Sequence, residues 1–164
     1  MIPKWEDRPV TVANLLNPAF CGEILRLVIK EYEKESGDKT PFELLFLVLP
    51  LVLHKQSRES LPATTSKNFY EWLEENTMTK ININNKVKSL VPYTREAILF
   101  LIYHKAIKIN ENGKLEFVKY RKTSLPYIDD NEVKDIFKKS SMLGKWFSKI
   151  GNTKTIYASI GIKP

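Results

Sequence analysis

Three side chains could in principle do covalent or metal chemistry: the single cysteine, Cys21, and the two histidines, His54 and His104. A thiolate nucleophile needs a base and a group to orient that base. Neither lies at a recognisable spacing from Cys21, which falls on the apolar stripe of a predicted helix and reads as a small buried hydrophobe. Each histidine ends an apolar run, where the partial negative charge at a helix C-terminus stabilises an imidazolium. A metal would need further ligands at metal spacing. The six glycines are scattered, so no glycine-rich phosphate loop forms. The residues therefore point to a protein that is not an enzyme and carries neither cofactor nor metal.

Two charged groups remain. Arg58 and Glu59, directly after an all-apolar run, mark a return to solvent, a structural ion pair or a partner contact. Lys105, Lys108, Lys114, Lys119, Arg121 and Lys122 lie on or beside a predicted hairpin, opposed only by Glu111 and Glu116. Such a basic wing can touch nucleic-acid phosphates, which gives affinity without sequence information. The alternative is a solvated strand face whose lysines discourage edge pairing. The segment before it, Ala97 to Tyr103, is almost wholly apolar and offers few groups to read base edges.

The elements that position these residues are organised around Pro41 to His54, apolar at nearly every position from Phe42 to Leu53. Such a run belongs at the centre of a core. Thr40, Pro41 and Glu43 give it a helix-start signal, which favours a helix over a buried strand, with a kink or break at Pro50. Before it, Met1 to Leu16 reads as an ordered arm that buries Trp5, Val10, Val12, Leu15 and Leu16. Asn17-Pro18 then opens an amphipathic helix that stops at Gly37. After it, Ser66 is predicted to cap a helix carrying Phe69, Trp72 and Leu73. A short helix ends at Pro92, and another runs from Pro92 to His104. Ile107 and Ile109 alternate with polar residues, Asn112-Gly113 turns, and Leu115 and Phe117 return, which is a hairpin signal. Asp129 and Glu132 then start a long helix to Ile150, followed by a short element over Thr155 to Ile160. The fold class is mainly α with a small β-hairpin. Its order suggests a winged helix-turn-helix-like single domain, 1–164, with extra N- and C-terminal helices. Its parts are an arm with buried helices (1–62), a winged-helix-like part (63–122) and a C-terminal helical part (123–164).

Composition sets the surroundings. The net charge of +7 favours nucleic acid, acidic protein surfaces or anionic lipid as partners, and is equally compatible with simple solubility. One cysteine excludes an internal disulfide framework, and Met1 to Arg8 is unlike a secretory signal. The central apolar run is shorter than the roughly 20 residues of a membrane span. A cytoplasmic protein without a membrane span is the expectation.

A set of phrases along the whole length is more specific than any local motif. They include Arg8-Pro9, Ala13 to Gly22, Leu47 to Lys55, Arg58-Glu59 with Leu61-Pro62, and Leu90-Val91-Pro92. Arg95-Glu96-Ala97, Leu143-Gly144 with Trp146-Phe147, and Thr155 to Ala158 continue the series. In these the chain resembles the middle components of bacterial three-component ABC systems, related to the small subunit of Lamassu-type phage defence. The resemblance implies a non-catalytic, winged-helix adaptor between an SMC/Rad50-like ABC ATPase and an effector, often a nuclease, encoded beside it. It carries over no catalytic residue. His54, Arg58, Glu59 and Trp146 are the expected partner-binding residues; Lys108, Lys114, Lys119, Arg121 and Lys122 are expected to contact the DNA backbone. The alternative is a free-standing winged-helix DNA-binding regulator.

Overall fold

The computed structural model describes residues 2–119 and 129–162. Its elements are α1 (Val10–Leu15), α2 (Pro18–Ser36), α3 (Leu45–Val52), α4 (Lys55–Ser60), α5 (Phe69–Glu75), α6 (Thr77–Tyr103), β1 (Ile107–Ile109), β2 (Leu115–Phe117), α7 (Asn131–Ile150) and α8 (Thr153–Ser159). The protein is mainly helical with one antiparallel hairpin.

Helix α2 starts and stops as its sequence dictates. The Asn17 side chain accepts the amides of Ala19 and Phe20, and Gly37 takes the left-handed conformation that ends the helix. Its apolar face is buried from Cys21 to Tyr32 and packs against α3, α6 and α7. The window Val10–Ser36 is long and apolar enough to cross a membrane by length and composition. In this fold it is two helices, parted at Leu16 and Asn17, and the longer one packs into a protein core.

The central run is helical and buried, with Leu45, Leu47, Val48, Leu49, Leu51 and Val52 all nearly inaccessible. Its start differs from expectation. A 3-10 turn over Phe42–Leu44 precedes α3, and no side chain caps it. Thr40 is instead paired with Leu115 of β2, by bonds of 3.0 and 2.8 Å between their backbones. Pro50 lies within α3 without ending it.

The largest correction concerns Pro92. The two helices expected to meet there are one, α6, running through the proline from Thr77 to Tyr103. Proline removes one amide donor and frees the carbonyl four residues back. That residue is Lys88, which is exposed, so water can take the freed acceptor. A helix–helix junction does occur, but earlier, at Asn76 between α5 and α6. Helix α5 is capped by Asn68 rather than Ser66. The arm also departs from expectation: Trp5, Val10 and Leu15 are exposed, Val10 by 76%.

At its far end α6 stops without glycine. Lys105 adopts φ 55°, its amide reaches Ile102 O, and that of Ala106 reaches Leu101 O. This left-handed termination turns the chain into β1. The expected hairpin forms, with Ile107 opposite Phe117, and Gly113 turns at φ 72° with its amide on Asn110 O. Helix α7 is capped by Asp130, one residue after the acid expected, and buries Ile136, Ser140, Leu143 and Phe147.

One glycine decides how closely the two longest-packed helices approach. A Cβ on Gly144 of α7 would lie 2.6 Å from Val28 O and 2.9 Å from Glu31 Cβ, both on α2. Alanine would gain about 1 kcal/mol of helix propensity. It would also force a backbone carbonyl aside, and overpacking of that kind costs about 1–3 kcal/mol or more. The clash should prevail: Gly144→Ala is expected to lower the urea midpoint, while Asn152→Ala, which removes only the exposed cap of α8, shifts it less.

Candidate functional site

The residues expected to meet a partner occupy very different places. Trp146 is in the interior, 1% exposed, against Phe69 and Trp72, and its indole N–H donates to Lys67 O at 2.8 Å. It offers no surface in the folded chain. Arg58 is also buried, at 3%. Its guanidinium donates to Asp135 Oδ2 at 2.9 Å, to Glu132 Oε1 at 2.5 Å and to Val52 O at 2.8 Å. It therefore clamps α4 and the last turn of α3 to the start of α7. Glu59 is exposed and pairs with Lys55 of its own helix, at 3.9 Å.

His54 is exposed and precedes α4 without a side-chain cap bond. Partial desolvation, with the charge of Lys86 second, pulls its imidazole below the usual pKa. That is opposite to the dipole-stabilised imidazolium expected of it. His104 ends α6, its ring 4.3 Å from that of Phe100. Cys21 is inaccessible, and burial pushes its thiol pKa up to about 12. Among the described residues no group of three or more His, Cys, Asp or Glu is placed to hold a metal.

The basic wing is anchored rather than free. Lys114 pairs with Asp38 at 2.6 Å, which holds that carboxyl below the usual range. Lys39 bridges Glu33 and Glu116, and Glu33 accepts the Phe117 amide at 2.6 Å. Arg26 lies 4.4 Å over the Phe117 ring and donates to Val118 O. Thr40 occupies the outer edge of β2. Lys108 and Lys119 remain exposed. Arg121 and Lys122 lie outside the described residues.

Two surfaces that motif reading did not single out are open, one an apolar groove and the other a helix face that mixes apolar and basic side chains. The first is a groove of about 890 Å³, bounded by Val10 and Leu15 of α1, Phe20 of α2, Leu53, and Val133 and Ile136 of α7. Asp130 and Glu132 line one end. The α1 wall is tied down by Arg8, whose guanidinium makes two bonds to Glu96 of α6, 2.9 and 2.6 Å, and lies near the Trp5 and Tyr93 rings. The second is the outer face of α6. Ile81 and Leu99 are about five turns apart and so share a face; both are about two-thirds exposed, and Tyr103 is more so. Lys88 and Arg95 lie between them on that face, exposed. Single exposed apolar residues are ordinary; here Met78 and Ile81 near one end of α6 and Leu99 and Tyr103 near the other flank the two basic side chains. The signal was present in sequence: Ile81, Lys88, Arg95 and Leu99 keep a spacing distinct from the buried stripe.

A family model described as ABC-three component (ABC-3C) system Middle Component 3 matches residues 5–164. The chain belongs to that family. No curated protein and no solved structure matches it. A middle component is one member of a larger system, and open surfaces on an otherwise well-packed middle component are consistent with that membership.

Two outcomes follow. Arg58→Ala should cost about 2–4 kcal/mol, because it opens a buried cavity and strips Val52 O of its donor. Arg58→Met, which keeps the volume, should cost less. Glu132→Gln should cost under about 1 kcal/mol, because that carboxylate is largely solvated. Chemical denaturation of the three variants gives the order. Separately, Cys21 should resist alkylation in the native protein at pH 8 and react fully in denaturant, as read by mass spectrometry.

Proposed function

We propose that this middle component is a non-catalytic adaptor in an anti-phage, Lamassu-type defence complex of the cytoplasm. It links an SMC-like ABC ATPase to an effector such as a nuclease. The observation that carries the reading is a pair of open surfaces, which share no residue: the apolar groove beside α1, and the outer face of α6, where exposed Ile81, Leu99 and Tyr103 flank Lys88 and Arg95. An adaptor must hold two partners at once, and two surfaces on one rigid helical body meet that need. The family membership supports association with the other components of an ABC system.

Contact with DNA is the subsidiary part of the proposal. Lys108 and Lys119 are exposed on and after the hairpin and suit phosphate contact, which would add salt-dependent affinity. The winged-helix label belongs with this part, since the hairpin follows a long helix as a wing does. The hairpin's bonds to Thr40, Glu33 and Asp38 make it a fixed wing.

Co-expression of the tagged chain with the products of its neighbouring genes, followed by size-exclusion chromatography, tests the reading. A complex containing the ATPase and a second protein is the expected result. A chain that elutes alone and binds duplex DNA with a steep salt dependence would replace the adaptor by a free-standing regulator.

A further inference from the structure

We propose that the groove between α1 and the start of α7 receives a basic amphipathic segment of one of the partners, seated by apolar side chains and held at one end by a lysine or arginine. This rests on the adaptor reading and names the chemistry of one of its two contacts.

The apolar part follows from the lining. Ile136 is buried, Phe20, Leu53 and Val133 are half-buried, and Val10 and Leu15 are exposed. A surface so lined loses free energy to water at about 25 cal/mol per Å² of apolar area until it is covered. The lining is mostly apolar, with Thr11, Asn14 and Asn17 beside it and Asp130 and Glu132 at the start of α7, which suits an amphipathic helix better than a purely apolar or a small polar ligand.

The charge requirement follows from the acids at the start of α7. Asp129, Asp130, Glu132 and Asp135 stand there against Lys134 and Arg58, in a chain of net charge +7. This is a local reversal of sign. Glu132 is 62% exposed on its side chain although Arg58 holds one of its oxygens, so it can accept a second donor. The helix N-terminus does not cancel the effect, because Asp130 Oδ1 already takes the amides of Glu132 and Val133. A partner carrying a cation beside its apolar anchors meets both features, whereas an acidic segment would be repelled.

The test uses the full chain co-expressed with its neighbours' products. Val10→Asp changes an exposed wall residue of the groove without touching the core. Asp130→Asn with Glu132→Gln removes rim charge while keeping a competent N-cap. Val10→Asp should reduce recovered partner by about tenfold or more, the scale of an interface hot spot. The rim variant should bind several-fold more weakly and flatten the salt dependence of binding. Leu99→Asp, on the other face, should leave this partner bound. With p-benzoylphenylalanine in place of Leu15, the photo-crosslink should map to a partner segment bearing Lys or Arg beside apolar residues. A complex that forms but is indifferent to both groove variants would overturn the inference and leave the adaptor standing. So would a crosslink to an acidic segment, or to a second copy of this chain. Failure of the wild-type chain to form any complex would overturn both.

Discussion

Helix α2 meets α7 backbone to backbone at Gly144, and the rest of the molecule is arranged around that close crossing. The same helix approaches α6 at Gly22, where a Cβ would come within 3.2 Å of Leu101. Small residues at these two points let three long helices enclose the all-apolar α3 without a gap. Interiors pack at crystal-like density, so a methyl group placed at the tighter crossing has nowhere to go. One contiguous cluster of buried side chains, from Cys21 in α2 to Ile160 beyond α8, follows from this arrangement.

Peripheral pieces are attached to that body by buried arginines as well as by apolar side chains such as Ile107 and Leu115 of the hairpin. Arg8 holds the N-terminal arm to Glu96 of α6, Arg26 holds the hairpin through Val118 and Phe117, and Arg58 holds α4 to α7. Arginine suits this work because its planar fork serves several acceptors at once while its stem packs in apolar surroundings. The consequence for function is geometric. The arm can leave Val10 and Leu15 facing water and still stand at a fixed distance from α7, which is what keeps the groove open.

Much of the scaffold was legible because its signals are local. Asn17 and Gly37 bound α2, and Asn112-Gly113 turns the hairpin. The acids before Val133 start α7 within one residue of expectation, and an unbroken apolar run reads as the centre of a core. What failed depended on long-range context. Pro92 reads as a helix end until it is known that Lys88 faces solvent. Of the readings open for Arg58, the structural ion pair is the one the fold makes, but sequence could not single it out because its acids, Glu132 and Asp135, are 74 and 77 residues away. Trp5 and Leu15 looked like core, and Trp146 like a contact, because hydrophobicity alone does not say which apolar residue a fold leaves outside. The groove was hidden because it draws its lining from Val10 to Phe20, from Leu53 and from the start of α7.

A structure of the intact complex, purified from co-expression and determined by cryo-electron microscopy, tests the central claim most directly. The account predicts density from one partner in the groove beside α1 and from a different partner on the outer face of α6. Both partners on one face, or a groove and an α6 face left open to solvent in the assembled complex, would contradict it.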